Sequence, residues 1–199
     1  MPTTWLDTVL RQSRRLGSFP YPHWAAFLLD NPVRRLFADP ADLAAALELT
    51  GDETVLELGP GSGFFSREVA GRLPRGRLEL FDIQPEMLAK ARRKLDDAGH
   101  RNVGFNSGDA GAGLPFGDDT FDVAYSVSVI GEVPDKPSCL QSLARVVKPG
   151  GLLVFMEGFP DPDRLSANEL RKLAEPEGFR LRDASGTRVR DIVRFENVR

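Results

Sequence analysis

A glycine-rich loop between an apolar run and a helical pattern constrains this chain more than any other feature. The run Thr54-Val55-Leu56-Glu57-Leu58 has the length and apolar character of a buried strand, and Gly59-Pro60-Gly61-Ser62-Gly63 follows it directly. A helical pattern then covers residues 64–73. Glycines at such a junction let backbone N–H groups approach a ligand, and the helix dipole favours a negative group there. The pattern favours a ligand-binding turn over a plain sharp turn.

Strands and helices alternate from residue 52 onwards. Strands are predicted at 54–58, 77–81, 103–105, 121–127, 152–156, 179–183 and 192–195, and helices at 64–73, from Pro85, around 140–147 and at 166–175. Pro149-Gly150-Gly151 is expected to end the third of these helices. This alternation predicts an α/β fold of the Rossmann-like, doubly wound type, with a mostly parallel sheet and helices on both faces. Ligands on such sheets bind at the carboxyl ends of the strands.

Composition limits the partners and the compartment. The 199 residues carry a net charge of -3, so the chain lacks the overall positive charge that is typical of nucleic-acid-binding proteins. Residues 1–36 are an exception, since they hold five arginines against two aspartates. The single cysteine, Cys139, suits a reducing cytoplasm and builds no cysteine metal site, so no metal is predicted. No run of eighteen apolar residues predicts a membrane span. Both a monomer and a homodimer stay open.

Acidic residues around the loop indicate which ligand it holds. The dinucleotide fingerprint G-x-G-x-x-G requires a glycine where Phe64 stands, and Glu57 lies two residues before the first glycine. A carboxylate there repels a pyrophosphate and attracts a cationic group. Asp82, 19 residues past Gly63, can accept both ribose hydroxyls, or it is a helix cap or a solvated turn. Asp109 follows the third strand and can accept an adenine amine, or it belongs to a glycine-rich turn.

Several motifs in order resemble the class I S-adenosylmethionine-dependent methyltransferase superfamily, most of all the ubiquinone/menaquinone-biosynthesis C-methyltransferases and their type 11 relatives. The matching stretches lie within residues 52–157 and are Val55 to Gly63, Phe81 to Leu88, Gly108-Asp109-Ala110, Leu114-Pro115-Phe116 with Phe121-Asp122, and Val147 to Gly151. Each stretch alone is weak, and their shared order and spacing make the set specific.

The resemblance implies a seven-stranded sheet with an antiparallel last strand, and S-adenosylmethionine as cofactor with S-adenosylhomocysteine as product. It also assigns the cofactor contacts, which are Glu57, Gly59, Pro60, Gly61 and Gly63 at the methionine end, Asp82 at the ribose, Ile83, Asp109 and Ala110 at the adenine, and Ser126, just past strand four, beside the methionine group.

The segment after strand four departs from many relatives. It has no paired histidines and no Asn-Pro-Pro-aromatic motif, which base-amino methyltransferases of nucleic acids usually carry, and a single cysteine is too few for an arsenic methyltransferase. Glu132 and Tyr125 are the candidates for a proton acceptor near that strand's exit. Glu132 is alternatively a helix N-terminal cap or a surface acid.

Residues 1–50 are predicted to be a helical segment that forms a lid on the methyltransferase part, residues 51–199, within one structural domain. Asp39-Pro40 starts the last of its helices, which Gly51 closes. The aromatic residues of this segment suit a hydrophobic or planar acceptor, or they pack its helices onto the sheet. Three functions stay open, namely methyl transfer to a small molecule, methyl transfer to a protein or RNA, and cofactor binding without catalysis.

Overall fold

The computed structural model of the protein describes residues 39–158, 161–187 and 189–199, which form one seven-stranded sheet with helices on both faces. The strands are β1 (Thr54–Leu58), β2 (Arg77–Asp82), β3 (Val103–Ser107), β4 (Phe121–Val127), β5 (Val147–Gly158), β6 (Phe179–Gly186) and β7 (Arg190–Asn197). The helices are α1 (Pro40–Ala46), α2 (Ser66–Gly71), α3 (Pro85–Asp97), α4 (Lys136–Val146) and α5 (Ala167–Ala174), with 3₁₀ turns at Ala110–Ala112 and Glu175–Glu177.

The strand order is β3-β2-β1-β4-β5-β7-β6. Neighbouring strands from β3 to β5 are parallel, and β7 runs antiparallel to both β5 and β6. The predicted α/β fold with an antiparallel last strand is therefore confirmed. Helices α1, α2 and α3 pack one apolar cluster against one face of the sheet, and α4 and α5 pack a second cluster against the other face.

Helix α3 shows how the sequence pattern produces this packing. Pro85 occupies its first turn, where the missing N–H leaves no hydrogen bond unmade. The four apolar side chains predicted to share one side, namely Met87, Leu88, Ala91 and Leu95, are the four that the helix buries. Their spacing of three and four residues keeps them on one stripe of the helix.

The prediction that Pro149-Gly150-Gly151 ends a helix was wrong. Helix α4 already ends at Val146, and β5 begins at Val147 and includes these three residues. The pairing of β4 with β5 shifts register between Phe121 and Val123, and a Cβ atom on Gly151 would lie 2.9 Å from the carbonyl oxygen of Asp122. Proline and glycine here accommodate an irregular strand start and a close backbone approach.

Helix α1 is part of the core. Asp39 caps it by accepting a hydrogen bond from the Ala41 N–H at 2.9 Å, as the sequence predicted for this start. Leu43 and Leu47 are buried in the apolar cluster on the α1–α3 face, and Asp42 pairs with Arg190 of β7 at 2.7 Å. The rest of the predicted lid, residues 1–38, lies outside the described residues. No helix in the described ranges is both long and apolar enough to cross a membrane.

Replacing Leu43 with alanine should destabilise the whole domain, because the substitution leaves a cavity beneath the sheet. We expect the free energy of unfolding in denaturant to fall by about 2–5 kcal/mol. Ala45→Gln, on the exposed side of the same helix, is the matched control and should change it by less than about 0.5 kcal/mol. An unchanged unfolding curve for Leu43→Ala would show that α1 is a detachable part of the lid.

Candidate cofactor site

The order of the strands creates a crevice at the carboxyl end of β1. The chain passes from β1 through α2 to β2 on one side, and β4 lies on the other side of β1. Connections that leave neighbouring parallel strands in opposite directions open a gap at that edge, where ligands of α/β sheets bind. The glycine loop, the end of β2 and the end of β4 all meet at this gap.

Each glycine of the loop has a positive φ angle, and each meets a different environment. The φ values are +67° at Gly59, +54° at Gly61 and +80° at Gly63, a region that side chains with a Cβ rarely adopt. A Cβ on Gly59 would overlap the side chain of Val129, and one on Gly63 would lie 3.0 Å from Cβ of Ala91 in α3. No atom of the described residues lies within 4 Å of a Cβ on Gly61. Gly61 is therefore the glycine that leaves room for a ligand.

The loop is held by backbone and carboxylate contacts. Gly59 donates its N–H to the carbonyl of Phe81 in β2 at 2.8 Å, and Gly63 donates to the carbonyl of Pro60 at 3.0 Å. Pro60 is buried, and its fixed φ stiffens the turn. The loop is thus shaped by the protein before any ligand arrives.

Asp82 joins the loop to β2 from the end of that strand. One carboxylate oxygen accepts the Gly61 N–H at 3.3 Å, and the other accepts the Gln84 N–H at 2.9 Å. Burial raises the pKa of Asp82 above its usual value, and the two N–H donors oppose that shift. The cap position of α3 is Gln84, so Asp82 is not the helix cap that the sequence left open. Its carboxylate lies beside the open glycine, where a ribose would need an acceptor.

The residues predicted to surround the adenine lie beyond Asp82. Ile83 is 51% exposed, which is unusual among the large apolar side chains of the described residues. Ala110 is buried, and Asp109 is exposed and caps the 3₁₀ turn by accepting the Gly111 N–H at 2.8 Å. Asp109 therefore has the turn role that the sequence left open, and its contact with adenine stays a prediction.

Glu57 and Tyr125 face each other beneath the loop. They are register partners on the parallel strands β1 and β4, and they are 2% and 1% exposed. Burial first, and then the negative charge of Glu57, raise the pKa of Tyr125 well above its usual value. The prediction of Tyr125 as a candidate proton acceptor needs correction, because the phenol lies in the core and holds its proton.

The sequence predicted Ser126 just past strand four, whereas the structure places it inside β4. It is 1% exposed, and its hydroxyl makes no hydrogen bond within the described part of the chain. Two residues later Ser128 adopts a φ of +53°, a strained angle for a residue other than glycine. Backbone strain of this kind is common at ligand sites, and the sequence carried no signal for it.

The loop after β4 brings Glu132 to the same edge of the sheet. Glu132 is partly buried, and its N–H donates to the carbonyl of Val129 at 2.9 Å. The cap of α4 is Asp135, which accepts the Ser138 N–H at 3.1 Å. The alternative that Glu132 caps this helix is therefore wrong. The sequence analysis also missed Val129, which packs against Gly59 and joins this loop to the glycine loop.

Comparison with known proteins identifies the domain. Residues 55–151 match the family described as a methyltransferase domain. The UbiE ubiquinone/menaquinone biosynthesis C-methyltransferase of Pseudomonas aeruginosa is 35% identical over 148 residues, which are 72% of this chain and 56% of that protein. The arsenite methyltransferase of Halobacterium salinarum is 32% identical over 146 residues, which are 67% of this chain and 37% of that protein. The chain thus spans about half or less of the length of these relatives.

Solved structures share the fold over most of the chain. A S-adenosylmethionine-dependent methyltransferase from Aquifex aeolicus superposes with a TM-score of 0.82 at 24% identity, covering 90% of this chain and 100% of that one. A protein from Bacillus halodurans that is named as a candidate methyltransferase gives a TM-score of 0.69 at 19% identity, with 80% and 98% of the two chains covered. These likenesses establish the architecture.

The fold is that of the class I S-adenosylmethionine-dependent methyltransferases, and residues 55–151 belong to the methyltransferase-domain family. Within it, the chain is similar to the UbiE C-methyltransferases, as its motifs predicted. The cofactor of the family is S-adenosylmethionine, and the residues present fit it. Gly61 leaves open space, Asp82 is an acceptor beside that space, and Ser126 has a buried hydroxyl with no bond within the described residues.

Gly61→Ala should weaken binding of S-adenosylhomocysteine at least tenfold, because the new methyl group takes space that the ligand needs. The matched control is Gly99→Ala, since Gly99 has a φ of +82° and no atom of the described residues within 4 Å of its Cβ position. Both variants carry a similar backbone penalty of about 1 kcal/mol. Calorimetry should show normal affinity for Gly99→Ala only. Equal affinities for the two variants would show that the ligand does not occupy the space beside Gly61.

Asp82→Ala should weaken cofactor binding at least tenfold. A hydrogen bond to a charged acceptor contributes about 1.5–3 kcal/mol, and this variant removes the acceptor for both the ribose and the loop N–H. Asp97→Ala is the matched control, because it removes an exposed carboxylate at the far end of α3 and should leave the affinity unchanged. A fall in the melting temperature of Asp82→Ala with unchanged affinity would leave Asp82 with a purely structural role.

Proposed function

We propose that this protein transfers a methyl group from S-adenosylmethionine to a small acceptor that is hydrophobic or aromatic. The observation that carries the proposal is the open position at Gly61 between the buried Glu57 and the Asp82 carboxylate, at the carboxyl edge of β1 and β2. When bound, S-adenosylmethionine supplies an electrophilic methyl group. The glycine loop, Glu57 and Ser126 would hold its methionine end, and Asp82 its ribose.

A small acceptor is favoured by the relatives and by the local chemistry. The similar UbiE proteins are named for ubiquinone and menaquinone biosynthesis, which supports a planar or hydrophobic acceptor here. Arsenite is disfavoured, since burial and the nearby acids Asp109 and Asp135 raise the pKa of Cys139 to about 12. A buried thiol that keeps its proton is a poor ligand for arsenic, because the thiolate is the reactive form.

Glu132 would serve as the proton acceptor of the reaction. It is partly buried on the loop after β4, which Val129 joins to the cofactor loop, and its alternative role as helix cap belongs to Asp135. Orienting the acceptor and excluding water contribute the larger share of rate in a displacement of this kind. Residues 1–36, with their aromatic side chains, would form a lid that supplies the wall of the acceptor pocket.

Two other functions predict different results. A protein or RNA methyltransferase would use the basic residues before position 36 to bind an acidic partner, and its binding would weaken steeply with salt. A protein that binds the cofactor without catalysis would release no methyl group to any acceptor. The structure offers no specific observation in favour of either.

The test is transfer of isotope-labelled methyl groups from S-adenosylmethionine into fractionated cell extract. We expect label in the low-mass, organic-soluble fraction, to be identified by mass spectrometry. Gly61→Ala should lower the labelling in line with its weaker cofactor binding, and Glu132→Gln should slow it with cofactor affinity unchanged. Label in the protein or RNA fraction would support the macromolecular alternative, and tight cofactor binding without labelling in any fraction would support the non-catalytic one.

A further inference from the structure

The hydroxyl group of Tyr125 is buried under the glycine loop and has no role in the proposed methyl transfer. The Oη atom of Tyr125 is solvent-inaccessible, and the Glu57 carboxylate faces it as a hydrogen-bonding side chain. The ring around it is packed in the apolar cluster on the α1–α3 face of the sheet, among residues such as Val55, Val123 and Met156. Phenylalanine would satisfy all of that packing, and a buried hydroxyl without a partner costs free energy. The presence of the hydroxyl therefore indicates a function other than packing.

The register of the sheet directs this hydroxyl towards one group. Tyr125 and Glu57 are partners across β1 and β4, and alternation along each strand puts both on the face that also carries Val55 and Val123. Both side chains are almost fully buried. Glu57 immediately precedes Leu58 and the glycine loop, so its carboxylate lies below the place where the methionine end would sit.

The protonation states of the pair are complementary. Burial and the adjacent Glu57 charge keep the pKa of Tyr125 high, so the phenol is a hydrogen-bond donor throughout the physiological range. An ionised carboxylate has only acceptor sites. A donor from below stabilises the charged form of Glu57, and a charged Glu57 attracts a cationic amino group above it.

We propose that Tyr125 is a positioning residue whose hydroxyl donates to the Glu57 carboxylate and holds it, charged, towards the amino group of the cofactor's methionine end. The proposal rests on the cofactor site described under the proposed function. Tyr125 touches neither cofactor nor acceptor in this arrangement and acts through Glu57 alone.

The experiment compares two ligands on the full chain by calorimetry. S-adenosylhomocysteine carries the amino-acid end, and 5′-methylthioadenosine lacks it. Tyr125→Phe should weaken S-adenosylhomocysteine binding about tenfold, the size expected for a hydrogen bond to a charged group, and leave methylthioadenosine within twofold. The matched control is Ser66→Ala, which removes a buried hydroxyl that has no described partner and should leave both ligands unaffected.

A further readout separates positioning from packing. In a Glu57→Gln background, Tyr125→Phe should cause little further loss, because the two residues act as one unit.

Several outcomes would overturn the proposal. Equal weakening of both ligands by Tyr125→Phe would indicate a packing role, and unchanged affinities would indicate none. Loss of the fold in this variant would also contradict it, since the hydroxyl would then serve the core. Failure of the wild-type protein to bind either ligand would instead reject the proposed function itself.

Discussion

The placement of β1 between β2 and β4 is the constraint on which the rest of the site depends. Parallel pairing on both sides fixes the register of β1, so each of its residues has one partner on β2 or β4 and the end of β1 has a defined position relative to theirs. The glycine loop, Asp82 and the loop after β4 come from distant parts of the sequence and meet only because of this pairing. Apolar clusters on both faces keep the central strands buried, so the edge of the sheet is a rigid platform for polar groups.

Much of this arrangement was predictable, because parallel strands buried on both faces leave a strong apolar signal. All seven strands were located from the sequence, and β1 and β4 were predicted with the bounds that the structure shows. The start of β5 was missed, since Pro149-Gly150-Gly151 is usually a helix end and here accommodates an irregular register that depends on β4. The positive φ of Ser128 and the contact between Gly59 and Val129 also depend on tertiary packing, so local sequence carried no trace of them.

The candidate site shows which residue roles follow from spacing and which do not. Spacing alone located Glu57, the loop glycines and Asp82 near one another, because each closes a predicted element on the same edge. It gave no way to decide whether Glu132 or Asp135 caps α4, and only the structure assigns that cap to Asp135. Likewise, the sequence predicted Tyr125 near the exit of β4, and only the structure shows that its side chain is buried, since period-two alternation in a strand buried on both faces has no solvent side to mark.

The close packing of Gly59 against Val129 has a consequence for how this scaffold diversifies. Any side chain at position 59 would occupy the volume of Val129, so the two positions are free to change only together. In the proposed site, the glycine loop would hold the cofactor and the segment after β4 would border the acceptor. Variants with a new acceptor specificity would therefore carry their changes around Val129 and not at Val129 itself. In a directed-evolution library, position 129 should tolerate smaller residues and reject bulkier ones, while its neighbours vary widely.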